Sequence, residues 1–282
     1  MQLIQNITEL RARLGGECSV AFVPTMGNLH EGHLNLMRLA REHGGCVVAS
    51  IFVNPLQFGP GEDFDRYPRT LEADCAMLRD LADIVFAPPA NEMYPAQQTV
   101  FVELPPVANE LCGAARPGHF RGMATVVLKL LNIVQPHAAL FGKKDYQQLH
   151  LIRQLVAQLN LPVRIIGAET VRAADGLALS SRNQYLSGIE RSEAIFLYQM
   201  LQNMRRGIRQ GERNFERLQQ QAVESLTARG WSVDYVAVRN QSDLQPARPL
   251  QDNLAQRELV ILAAARLGNT RLLDNVEVYL AA

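Results

Sequence analysis

The sequence carries no charge imbalance: Lys plus Arg and Asp plus Glu each number 28 among 282 residues, so the formal net charge is zero. A dedicated nucleic-acid binder shows a basic footprint, which excludes that class while leaving room for a small cationic pocket. Long apolar runs are missing as well. Nothing approaches the ~18 uninterrupted apolar residues that a membrane span requires. The opening residues, MQLIQNITELRARL, lack a basic stretch followed by an apolar one, which argues against a secretory signal. Cysteine is scarce. Cys18, Cys46, Cys75 and Cys112 are far apart and lie mostly in apolar runs. That spacing offers no disulfide or metal framework and reads as small core residues in a reducing, cytoplasmic setting. Two nucleotide signatures are also absent: there is no G-x-x-x-x-G-K-[ST], and no G-x-G-x-x-G follows a strand. No internal repeat and no low-complexity tract occurs.

What is present is an ordinary globular composition, 48% hydrophobic and 20% charged. The length suits one large or two medium domains. Strand-like runs at 18–23, 46–53, 83–87, 99–104, 138–141 and 163–167 alternate with helix-like spacing at 3–14, 30–43, 69–82, 122–135 and 144–160. Such alternation predicts an α/β domain with a parallel sheet. Beyond Leu186 the texture changes: helices are expected at 188–210 and 213–229, and strands at 233–238 and 258–264. This predicts a smaller α+β domain over 176–282, hinged at Ala173-Ala174-Asp175-Gly176 behind a catalytic domain over 1–175.

In an open parallel sheet, ligands bind beyond the carboxyl ends of the strands. The polar, glycine-bearing segments fall there. The first is Met26-Gly27-Asn28-Leu29-His30-Glu31-Gly32-His33, a turn between an apolar run and a helix. A helix start offers free N–H groups and the positive end of the dipole to an anion. Residues three apart share a helix face, so His30 and His33 can reach one phosphate as charge-assisted donors. A zinc pair is the weaker reading, since no third ligand has the usual spacing. The second segment, Asn54 to Gly59, brings the amides of Asn54 and Gln57 to a strand end. The third is Gly142-Lys143-Lys144-Asp145-Tyr146-Gln147-Gln148, again a glycine, lysines and a helix start. The fourth, Leu179-Ser180-Ser181-Arg182-Asn183, pairs hydroxyls with a guanidinium, a clamp suited to polyphosphate at the domain joint. Between them lies a cationic loop, Arg116 to Gly122. Each segment alone also fits an ordinary turn or helix start.

Taken together, PTMGNLHEGH, FVNPLQFG, YPRT, RPGHFRGM, LFGKKDYQQL, SSRNQYLS and TRLLDN run in order from residue 24 to 275. The set resembles the pantoate–β-alanine ligase (pantothenate synthetase) family, within the nucleotidyltransferases that carry an H-x-G-H signature. One departure is Lys143, where the family more often has Glu; a solvent-facing side chain is expected. The resemblance implies a Rossmann-like N-terminal domain, a smaller C-terminal lid or dimer-side domain, and a homodimer. It implies ATP and Mg²⁺, with pantoate and β-alanine as substrates and a pantoyl adenylate between two steps. His30, His33, Lys144, Ser180, Ser181 and Arg182 would carry the catalysis, and Asn54, Gln57 and Gln148 would bind pantoate or β-alanine. The nucleotide would meet residues 26–33, Gly142, Lys143, Lys144, Asp145, Val171, Leu179 and 180–182, and Asp74 would contact Mg²⁺. The competing readings are another adenylyl- or cytidylyltransferase, and a non-catalytic nucleotide-sensing module; pantoate-dependent pyrophosphate release separates them.

Overall fold

A computed structural model describes residues 1–248 and 258–280. Strands β1 (Gln2–Ile4), β2 (Val20–Thr25), β3 (Cys46–Ile51), β4 (Ile84–Phe86), β5 (Ala138–Gly142) and β6 (Arg164–Ala168) form one sheet in the order β1-β4-β3-β2-β5-β6. Every pairing is parallel. The strands are apolar on both faces because helices cover both. Val20, Phe22 and Val48 pack with Leu10 of α1 (Ile7–Leu14) and with residues of α6 (His119–Val134) and α7 (Tyr146–Gln158). Ala21, Val23 and Val47 pack on the other side with Leu36, Met37 and Ala40 of α2 (Glu31–Arg41) and Leu78 of α3 (Leu71–Leu78). Two short helices, α4 (Ala90–Met93) and α5 (Cys112–Ala115), lie between α3 and α6.

The chain runs outward from β2 to β3 and β4 on one side, and from β5 to β6 on the other. The β2/β5 boundary is therefore the point where the winding reverses, the place at which such sheets open a crevice. The second unit holds α8 (Gly188–Glu193), α9 (Ile195–Arg209) and α10 (Phe215–Ala228). They pack on an antiparallel sheet of β7 (Ser232–Asn240), β8 (Glu258–Leu267) and β9 (Thr270–Tyr279).

Several expectations are corrected. The helix expected from residue 3 begins at Ile7; Asn6 accepts from the Glu9 N–H at 2.7 Å and caps it, and Gln2–Ile4 is the edge strand against β4. Residues 99–104 form no strand: among the described residues no strand pairs with them, and Val102 and Leu104 pack on the core while Arg121 of α6 lies 4.0 Å over the Phe101 ring. The helix expected over 188–210 is two helices. Strand β9 went unforeseen because buried Asp274 and Asn275 interrupt its apolar pattern. Cys46 and Cys112 are buried, but Cys18 is exposed and Cys75 only half-buried; all four are free thiols. At the segment expected to act as a hinge, Arg172 donates to the Gly176 carbonyl at 3.1 Å, and Arg191 meets Asp175 at 2.8 Å. Among the described residues, no helix is long and apolar enough to cross a membrane.

Candidate active site

Helix α2 starts where it does because His30 caps it. The His30 backbone is extended, and its Nδ1 accepts the Gly32 N–H at 3.1 Å. In return the His33 Nδ1 accepts the His30 N–H at 3.3 Å. Two imidazoles thus build the reciprocal cap usually made by Ser or Thr with Glu. Their ring centroids lie 4.1 Å apart. A Cβ at Gly32 would come within 2.9 Å of the His30 ring, so only glycine leaves that ring its seat. Because each Nδ1 accepts, each neutral ring holds its proton on Nε2, assigned from this bonding pattern. Each therefore keeps an Nε2–H donor, and both rings line the cavity described below.

Burial, and then the charge of Lys144, push His30 down to about 4. Burial, and then His30, push His33 down to about 3. Both rings are therefore neutral at neutral pH. Burial, followed by Arg116, likewise pushes His119 down to about 4. All three folded values lie below the ordinary 6.5. The unfolded chain then binds more protons, so the stability these rings contribute is whole above about 6.5 and is lost as pH falls toward 4. Denaturation midpoints should therefore drop between about pH 7 and about pH 4.5. Equal midpoints would show that the rings are not buried in the neutral form.

A cavity of about 240 Å³ opens at the β2/β5 boundary. Its walls bring together Met26, His30, Gly32, His33, Asn54, Gln57, Gly142, Lys144, Asp145, Gln148, Val171, Leu179, Ser180, Ser181 and Arg182 from the segments singled out above. A second cavity of about 540 Å³ adjoins it and shares the Lys144, Asp145, Ser180 and Arg182 walls. The Lys144 ammonium stays 4.0 Å from the Asp145 carboxylate, without a close pair.

Gln57 is oriented from behind. Asn54, 1% exposed, donates from Nδ2 to the Gln57 Oε1 at 3.1 Å and to the Gly122 carbonyl at 3.1 Å. The Asn54 Oδ1 accepts from the Tyr94 hydroxyl at 2.8 Å. With Oε1 occupied, Gln57 presents its NH₂ beside the Met26 sulfur, 2.9 Å away. A Cβ at Gly122 would lie 2.0 Å from the Leu56 carbonyl oxygen, so the absence of a side chain there lets α6 support this turn. Asn54, expected to touch substrate, lines the cavity with its amide engaged by Gln57, Gly122 and Tyr94.

On the far wall, Ser181 donates to the Asn28 carbonyl at 3.0 Å, and Ser180 accepts the Arg182 N–H at 3.3 Å. The Arg182 guanidinium makes a two-pronged pair with Asp63, both contacts at 3.0 Å. Arg116 makes the same kind of pair with Glu62, both contacts at 2.6 Å. Of the loop read as cationic, Arg116 is thus paired, while Arg121 lies over the Phe101 ring. Arg116 also donates to the His119 Nε2 at 3.1 Å, so His119 donates from Nδ1 to the Gln57 carbonyl at 2.8 Å.

Two further expectations fall. Asp74 is fully buried and accepts from the Asn28 N–H at 3.0 Å, the Leu29 N–H at 2.8 Å and the Thr70 hydroxyl at 3.1 Å. It braces the turn below the histidines and does not face the cavity, so it does not fit a Mg²⁺ contact. Among the described residues, no cluster of three or more His, Cys, Asp or Glu could hold a metal ion. Lys143 does not face solvent: its ammonium meets Glu169 at 2.5 Å and Glu277 at 2.9 Å, which ties the end of β5 to β9. Of the remaining turn residues, Leu29 is buried in the core, while Glu31 points outward and pairs with Arg38. Gly27 and Asn28 supply the turn's backbone, both with positive φ. The sequence reading missed Glu62, Asp63 and Tyr94. Acids beside the FVNPLQFG segment were a weak local signal for the first two, and Tyr94 had none.

Comparison with known proteins agrees with this geometry. Residues 2–277 match the family described as pantoate-beta-alanine ligase. The chain is 58% identical over 279 residues to pantothenate synthetase of Nitrosospira multiformis, covering 99% of this chain and 98% of that one. It superposes on the crystal structure of pantothenate synthetase from Thermus thermophilus with a TM-score of 0.92 at 45% identity, covering 99% and 100% of the two chains. The Francisella tularensis pantoate-beta-alanine ligase, complexed with beta-gamma ATP and beta-alanine, gives 0.80 at 34% identity, covering 98% and 97%. With the crevice, the histidine cap and matches along nearly its whole length in agreement, the chain belongs to the pantoate-beta-alanine ligase family.

Proposed function

We propose that the β2/β5 cavity joins pantoate to β-alanine in two steps, with the residues above in definite roles. The net reaction is the family's: the enzyme condenses pantoate with β-alanine and consumes ATP. In the first step a pantoate carboxylate oxygen attacks the α-phosphorus. A new P–O bond forms, the bond to the bridging oxygen breaks, and pyrophosphate leaves with the electron pair. In the second, the β-alanine nitrogen attacks the acyl carbon, the C–O bond to AMP breaks, and the amine sheds a proton. No protein nucleophile is required; positioning and stabilisation of developing phosphoryl charge suffice.

His30 and His33 donate from Nε2–H at the helix N-terminus, and Lys144 adds a point charge. Ser180, Ser181 and Arg182 receive the departing pyrophosphate, and Asp145 sits beside the nucleotide. Gln57 and Gln148 bind pantoate. The observation that carries this reading is the histidine cap: two neutral imidazoles whose acceptor nitrogens are used internally, leaving two donors beside a lysine. Mg²⁺ would accompany the triphosphate of ATP. A 1–175 catalytic domain, a closing C-terminal unit, a homodimer and a cytoplasmic location complete the proposal.

Pyrophosphate release should require pantoate; release without it would reject the reaction order. Gln148→Ala should raise the pantoate KM and leave ATP binding nearly intact, because an unpaired hydroxyl or carboxylate costs about 1–3 kcal/mol. Equal loss for both substrates would reject the pantoate subsite.

A further inference from the structure

We infer that Asn275, on β9 of the second unit, is a positioning residue for Lys144 in adenylate formation; the inference rests on the role proposed for Lys144. The Asn275 side chain is 6% exposed. Its Nδ2 donates to two successive carbonyls, Lys143 and Lys144, both at 2.9 Å. Those carbonyls belong to the single turn Lys143–Asp145 that follows β5 and leads into α7. Helix α7 has no side-chain cap of its own, since Asp145 makes no such bond. A group 131 residues away in sequence therefore grips the turn's backbone.

The residues flanking Asn275 on β9 secure that grip. Asp274 takes a two-pronged pair from Arg172 at 2.6 and 2.8 Å, next to Val171. Glu277 accepts from the Lys143 ammonium at 2.9 Å and from the Tyr146 hydroxyl at 3.0 Å. These ion pairs already dock β9 on the parallel-sheet unit. The two amide bonds of Asn275 add something different: they fix the backbone from which the Lys144 side chain springs. A lysine ammonium rides on four flexible carbons, so its reach is defined only as well as its root. Displacing a reacting group by about 1 Å can cost roughly 10²-fold in rate.

The test is a double-mutant cycle read by single-turnover pyrophosphate release, with melting curves for every variant. Asn275→Leu keeps the branched shape and removes both donors; Asn275→Ser serves if Leu prevents folding. In the parent, the Asn275 change should slow adenylate formation roughly 10- to 100-fold. Attack of β-alanine on preformed adenylate should hold its rate. In a Lys144→Ala background the same change should cost nothing more, since the group it positions is gone. Slowing that repeats in full in that background, or that appears equally in both half reactions, would mean a merely structural role and overturn the inference. If Lys144→Ala alone releases pyrophosphate at the parent rate, the role of Lys144 falls first, and this inference with it.

Discussion

Replacing either imidazole of the α2 cap should lower kcat ~10²- to 10³-fold while ATP binding changes little, the usual cost of losing one preorganised donor to developing charge. Plain truncation would confuse two roles. His30 accepts the Gly32 N–H and His33 accepts the His30 N–H, so alanine at either site also removes a helix cap. A lost cap costs about 0.5–2 kcal/mol of stability. His30→Asn and His33→Gln separate the roles, because each retains an acceptor for the backbone N–H and takes away the ring. Both should melt close to the parent and still lose turnover. The rings are depressed to about 4 and about 3. Single-turnover adenylation should therefore show no histidine inflection between about pH 6 and 8. If both variants melt early yet turn over normally per folded molecule, the histidines are structural and the phosphate-site reading goes with them.

Arg182→Ala should slow adenylate formation by a similar ~10²- to 10³-fold and spare attack on preformed adenylate, because pyrophosphate leaves in the first half reaction. The side chain is held by Asp63 and lies 5.8 Å over the Tyr67 ring. For Arg182 to grip pyrophosphate, Asp63 must give it up. Removing the arginine alone strands a carboxylate whose side chain is 17% exposed, so some loss of melting temperature is expected. Adding Asp63→Asn should restore the melting temperature without restoring the rate. A double variant that regains both would show that Arg182 acts only through the fold. Arg182→Lys should recover little, since an ammonium cannot make the two-pronged contact.

The legible part of this molecule was local. Periodicity located most of the sheet, and turn chemistry located the strand ends where the cavity opens. His30 and His33 stood out because a helix start and an i, i+3 spacing are properties of adjacent residues. Where local signals competed, reading failed. Leu3 and Ile4 fit a helical stripe, yet they extend the sheet, because β4 offers an edge to pair with and Asn6 caps the helix three residues later. The resemblance put Asp74 on Mg²⁺, and burial under the histidine turn makes it a brace. Lys143 was expected to face solvent; Glu169 and Glu277 hold it instead.

The sequence by itself determined the α/β alternation, the polar segments at the strand ends, and the kinship those segments announce in their order. Tertiary structure alone decided which cations stay available to a phosphate and which are already paired. It also decided that Asn54 orients Gln57, and that β9 reaches back to the Lys144 turn. The reason is one of range. Backbone periodicity and capping are settled within a few residues, whereas the partner of a buried charge or amide is whichever group the folded chain brings within about 3 Å. For Arg182 that group lies 119 residues away, and for the Lys144 carbonyl 131.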